Sequence, residues 1–147
     1  LNHRVKNLFA VVTSIIRLTG RNESNTKVAI EKITDRIHAL SRAHSLTVAQ
    51  DSDTNTDINS LISSLLQPYE TSNRLYTANG PRLELNQKAL TPLGLFLHEL
   101  ATNAIKYGAW SSDSGGKIDI TWTAEAPKDD DETHVTIFWN EASNTLL

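Results

Sequence analysis

The chain reads as an α+β protein in which an antiparallel helical hairpin precedes a layer of helices packed on a sheet. Two observations predict this. Apolar residues in the first fifty positions recur at helical spacing and do not alternate. Near the other end, Ile118/Ile120/Trp122 and Val135/Ile137/Trp139 alternate strictly with polar residues, as half-buried strands do. Between these regions lies the polar stretch 51–57, Asp-Ser-Asp-Thr-Asn-Thr-Asp, without a large apolar side chain. It marks a junction between a hairpin at 1–50 and a second domain at 58–147.

The elements follow in order. Leu1, Val5, Leu8, Val12 and Ile15 form the seam of a first helix, which Gly20 is expected to end. Asn22-Glu23-Ser24-Asn25 reads as the turn. A second helix carries Ile30, Ile33, Ile37, Leu40, His44 and Val48 on one stripe. So short a hairpin has too little core to stand alone, and it should complete a four-helix bundle with a second copy or pack on another domain. A short helix is expected from Ile58 to Tyr69. Two strands, Arg74–Ala78 and Arg82–Leu85, should pair through a tight turn at Asn79-Gly80. A long helix spans about Ala89 to Tyr107, and the two alternating strands close a largely antiparallel sheet. The acidic run Asp129–Glu132 reads as a solvated hairpin tip.

Composition excludes whole classes of function. The net charge of −3 removes nucleic acid and anionic lipid as leading partners, since both require a basic face. No apolar run approaches the roughly 20 residues of a membrane helix. With no cysteine, disulfides and thiolate catalysis are excluded, and a cytoplasmic setting is expected. The sequence starts inside a helical pattern and has no methionine, so it is read as a fragment of a longer protein.

Three places carry chemistry. His3 falls roughly 160° from the first helix's seam, at roughly 100° per residue. It is therefore either a solvated surface histidine or a nucleophile that another domain can reach, its free nitrogen lone pair being able to attack phosphorus. On the long helix, Leu93, Leu97, Leu100 and Ala104 define a buried face. Glu99, Asn103 and Lys106 line the opposite one. They form either a solvated charge ladder or a nucleotide face, in which a carboxylate orders the nucleophile, an amide oxygen binds Mg²⁺ and an ammonium neutralises phosphate. Glu141 shares a strand face with Val135, Ile137 and Trp139. Either it escapes into solvent at the strand end, or it is a buried acceptor suited to a purine's amine.

Leu-Asn-His-Arg-Val-Lys-Asn-Leu-Phe at 1–9 resembles the phosphoacceptor box of the HWE family of sensor histidine kinases. His98 to Ala109 resembles that family's N box, with His98 as its initial histidine, and Trp139-Asn140-Glu141 resembles its Trp-x-Glu element. The resemblance implies a dimerisation and histidine-phosphotransfer hairpin joined to a Bergerat-type α/β sandwich that binds ATP. It makes His3 the phosphorylated residue and Asn103 the Mg²⁺ ligand, with Glu99 acting beside it. Glu141 and Trp139 would set the adenine, Lys106 would compensate phosphate charge, and His98 and Tyr107 would flank the pocket. The implied partners are a response-regulator receiver domain, a second copy (or none, in a monomeric kinase) and an upstream sensory domain. The glycine-rich lid of the family is not found after Glu141, so the lid is expected to be absent or truncated. A histidine phosphotransferase with a degenerate second domain, or an ATPase of the same fold class, are the alternatives.

Overall fold

The computed structural model describes residues 2–48, 56–126 and 132–144. Helix α1 (Asn2–Asn22) is followed after three residues by α2 (Thr26–Val48). Gly20 does not end α1. A glycine inside a helix costs only about 1 kcal/mol relative to alanine, and the helix runs on to Asn22. The stop comes from the turn: Asn25 Oδ1 accepts from the Val28 N–H at 3.2 Å and caps α2, while Glu23 pairs with Lys32 at 2.9 Å.

The expected seam is only partly closed. Ile15 and Leu40 are buried, and Leu8, Val12, Ile33 and Ile37 are half-buried, but Val5 (46% exposed) and Ile30 (59% exposed) face outward. His44, expected within the seam, is exposed as well. The buried residues of α2 are instead Ala29, Ala39, Leu40 and Ala43. The buried face is shifted round the helix because α2 is shared between α1 and two later helices, α3 (Ile58–Leu66) and α4 (Gln87–Lys106).

Helix α3 (Ile58–Leu66) buries Ile58, Leu61, Ile62, Leu65 and Leu66, the full apolar stripe of a short amphipathic helix. A 3-10 turn, Gln67–Tyr69, ends it. Most of the polar junction, 51–55, and the acidic run at 129–131 lie outside the described residues. The junction's last two residues form β1 (Thr56–Asp57), antiparallel to β3 (Glu84–Leu85).

The main sheet has the order β2-β4-β5, with β2 at Arg74–Asn79, β4 at Gly116–Glu125 and β5 at His134–Ser143. Here the structure corrects two expectations. β2 does not form a hairpin with β3; it pairs in parallel with β4, and within this sheet the antiparallel pair is β4 and β5. The sheet is mixed because the long helix α4 (Gln87–Lys106) is the crossover that a parallel connection requires. Nor does Asn79-Gly80 make a positive-φ turn, since among the described residues only Gly115 has one. Gly80 serves close packing: a Cβ there would meet the Trp122 indole at 2.4 Å.

One row of β4, Ile118, Ile120 and Trp122, is buried in a common core with α3, α4, Ala39 and Ala43. No helix among the described residues is long and apolar enough to cross a membrane. Trp110 joins the end of α4 to the sheet. It is fully buried, and its indole Nε1–H donates to the carbonyls of Leu75 at 3.3 Å and Gly116 at 3.2 Å. Trp110→Phe keeps a ring in the core but removes this donor, so urea denaturation should show a loss of about 1–3 kcal/mol. An unchanged midpoint would assign the tie to packing alone.

Candidate functional site at the exposed face of α4

Helix α4 begins at a cap in which Asn86 Oδ1 accepts from the Ala89 N–H at 2.9 Å. Leu90, Leu97, Ala101 and Ala104 are buried, and Leu93 and Leu100 are half-buried. Burying that stripe turns Asn103 and Lys106 to solvent, with Glu99 half-exposed. These three side chains share a polar groove of about 170 Å³ with His98, Thr102 and Tyr107. The opposite wall is α2, through Lys32, Asp35 and Arg36.

Arg36 is the residue that sequence reasoning missed. Its Nε donates to Glu99 Oε1 at 2.6 Å, and its Nη1 donates to the hydroxyl of Thr19, a buried residue of α1. The guanidinium holds the Glu99 carboxyl below the usual carboxylate range, against the opposing effect of burial. In the sequence Arg36 is one more polar residue of an amphipathic helix. Nothing in one dimension couples it to position 99.

His98 does not flank the groove as a surface group. It is 1% exposed, neither ring nitrogen has a hydrogen-bond partner in the protein, and the Tyr69 ring lies 6.3 Å away. Burial, reinforced by the charge of Arg42, pushes its pKa below the ordinary value, so the imidazole is held neutral. Tyr107, by contrast, is 82% exposed.

Glu141 and Trp139 lie beyond the groove, at the C-terminal end of α4. Of the two readings of Glu141, exposure at the strand end is the one the structure shows. Because β5 is an edge strand, its row is only half covered, and Glu141 is exposed. Its carboxylate is nevertheless held at both oxygens: Oε2 accepts from the Ala109 N–H and Oε1 from the Trp139 indole N–H, each at 2.8 Å. Gly108 permits this approach, since a Cβ there would stand 2.0 Å from Oε2. A carboxylate has about four acceptor positions, so lone pairs remain for a further donor. A glycine directly after a helix was the only sequence signal for this arrangement. His3 is exposed on α1, near its start. It is the one predicted residue that the fold does not bring near the others.

Comparison with known proteins agrees with the motifs. A model of the HWE histidine kinases matches residues 1–82. The chain belongs to the HWE histidine kinase family. It is 41% identical over 145 residues to blue-light-activated histidine kinase 1 of Erythrobacter litoralis, an alignment covering 96% of this chain and 38% of that protein. The blue-light-activated histidine kinase of Brucella anthropi is 37% identical over 124 residues, 83% of this chain and 25% of its own. That of Brucella ovis is 34% identical over 142 residues, 95% and 28% respectively. This chain thus spans well under half the length of these family members.

Two outcomes follow from this geometry. Gly108→Ala would force Glu141 away from the Ala109 N–H, so binding of any ligand read by that carboxylate should weaken by about tenfold or more, one charged hydrogen bond's worth. Equal affinity in titration calorimetry would detach Glu141 from the site. For His98, the depressed folded-state pKa means that the unfolded chain binds the proton more readily. Its contribution to stability is therefore complete above about pH 6.5 and is lost as pH falls toward the folded-state value. Between about pH 7.5 and 5.5 the unmodified protein should lose more stability than His98→Leu, in denaturation curves at matched ionic strength. Parallel losses would show that His98 is not the titrating group.

Proposed function

We propose that this chain is the core of a sensor histidine kinase that transfers the γ-phosphoryl group of ATP to His3. In this reading residues 1–50 form an antiparallel hairpin, half of a four-helix bundle, and residues 58–147 form a Bergerat-type ATP-binding domain. The observation that carries it is the pairing of two features at one end of α4. One is the exposed Asn103 beside Lys106; the other is the Glu141 carboxylate anchored on Ala109 with acceptor capacity to spare.

The residues fit the ligands that the reading requires. The Asn103 amide is exposed and carries no side-chain hydrogen bond to other described residues, leaving its hard oxygen free for Mg²⁺. No group of three or more histidine or carboxylate residues that could cage a metal occurs among the described residues. That is the expected arrangement for Mg²⁺, which takes few protein ligands and completes its shell with water and phosphate. When bound, the ion supplies neutralisation of the phosphate oxygens. Lys106 adds a cation at the same groove, and Glu141 with Trp139 offers an acceptor and a ring for adenine.

His3 then attacks with its unprotonated ring nitrogen. An N–P bond forms, the bond from γ-phosphorus to the bridging oxygen breaks, and ADP leaves with that electron pair. The other ring nitrogen releases its proton. The phosphoryl group passes to an aspartate of a response-regulator receiver domain, and a sensory domain elsewhere in the full-length protein sets the rate. A homodimer is supported by the apolar side chains that α1 and α2 leave uncovered: Val5, Phe9, Ile16 and Ile30.

In the full-length protein with labelled ATP, His3→Ala should lose acid-labile, base-stable phosphate while ATP affinity stays unchanged. Asn103→Ala should lose both Mg·ATP affinity and phosphorylation with the fold intact. Phosphohistidine persisting in His3→Ala would move the acceptor elsewhere, and a full-length protein that bound no nucleotide would favour the phosphotransferase reading.

A further inference from the structure

Two grooves meet at the Arg36–Glu99 pair. On one side is the polar groove of the candidate site; on the other is an apolar groove of about 580 Å³ between α1 and α4. Sites for small molecules span ~300–1,000 Å³. The apolar walls are Val11, Ile15 and Leu18 of α1 with Leu95 and Phe96 of α4. Ile15 is buried, whereas Leu18 and Phe96 are each 56% exposed. Large apolar side chains left open around one concavity mark a place that a ligand or partner covers.

The geometry of α1 narrows the occupant. At roughly 100° per residue, the line of Val11, Leu18 and Asn22 is turned roughly 140° from Val5, Phe9 and Ile16, the exposed apolar face through which a second copy would pack. A second copy on that face leaves the groove open.

The charged end of the groove sets the chemistry of what enters it. Arg36 uses Nε on Glu99 and Nη1 on Thr19, but Arg36 Nη2 and Glu99 Oε2 have no hydrogen-bond partner among the described residues. The pair is neutral as a unit and offers a donor beside an acceptor. A charged ligand head of either sign would meet a like charge in a pair already compensated, and would lie against apolar walls without a counter-ion of its own. An uncharged amide presents a C=O beside an N–H and satisfies both partners. The other polar side chains of the lining, Ser14 and Asn22, are uncharged as well.

We propose that the groove between α1 and α4 is a second ligand site, for an uncharged molecule with an apolar body and one amide-like edge. Leu18 and Phe96 cover the body, Arg36 donates to the carbonyl oxygen of the edge, and Glu99 accepts from its N–H. The site is separate from the polar groove read as the nucleotide site, and it stands whether or not that reading holds.

Four compounds that share a butylphenyl body test this by equilibrium dialysis with the full-length protein: 4-butylbenzamide, its N,N-dimethyl amide, 4-butylbenzoate and 4-butylbenzylammonium. The primary amide should bind saturably at one site per chain. The other three should bind at least about tenfold more weakly, the loss of one hydrogen bond to a charged group. Ser14→Trp, which puts a ring into the groove from an exposed position, should abolish amide binding with an unchanged thermal midpoint. Ala10→Trp, on the same wall, serves if that variant is destabilised. Absence of saturable amide binding, equal affinity for the amide and its dimethyl analogue, or undiminished amide binding in the folded tryptophan variant would each overturn the site. A lower sedimentation mass in that variant would overturn it too, by making a second chain the occupant.

Discussion

Leu97, Ala101 and Ala104 lose all contact with solvent where α4 enters the core shared with Ile118, Ile120 and Trp122. Their burial fixes the rotation of the helix, and everything polar on α4 inherits its direction from it. Asn103 and Lys106 face outward because three apolar neighbours face in. The helix end is fixed as firmly, by the Trp110 indole bonded to two strand carbonyls. The Gly108–Ala109 backbone, which receives Glu141, is thus part of a rigid corner rather than a free loop.

That corner explains how an edge strand can carry a precisely placed carboxylate. An exposed glutamate on an edge would ordinarily sample many rotamers. Here two N–H groups, one from the backbone at Ala109 and one from Trp139, restrict it, and the missing Cβ of Gly108 leaves room for it. The carboxylate is ordered without being desolvated, so its charge is retained at little cost. His98 illustrates the opposite choice. It is buried without a protein partner and kept neutral, which suits a residue that shapes the α2–α4 junction rather than one that binds an anion.

The polar groove has walls from two parts of the chain, and this gives the molecule a mechanical aspect. Its α4 wall carries the family's motif residues, whereas its α2 wall carries Lys32, Asp35 and Arg36. Whatever displaces α2 from α4 alters the electrostatic surroundings of Glu99 at the same time.

Legible in one dimension were the α+β class, both long helices at the start, a short helix beginning at Ile58, the exposed face of α4 and the family; the 3-10 turn that replaces the last three residues of that short helix was not. Each of the legible features rests on local periodicity or on a contiguous motif, and neighbours in sequence suffice to specify them. The sequence by itself misassigned what depends on partners far along the chain. The strand at 74–79 looked like half of a hairpin because Asn-Gly favours a tight turn, yet the glycine was needed for the Trp122 indole, and the strand went to β4 across an intervening helix. The seam of α2 was read as a single stripe, but α1, α3 and α4 divide that helix between them and leave Ile30 and His44 outside. Burial and exposure of Glu141 were both left open, because alternation reports which face a residue lies on, but not whether the strand stands at an edge. Only the tertiary structure could decide these points. The physical reason is separation along the chain: Arg74 of β2 pairs with Gly116, 42 positions on (116 − 74), Ala109 binds Glu141 32 positions on, and Arg36 meets Glu99 63 positions on.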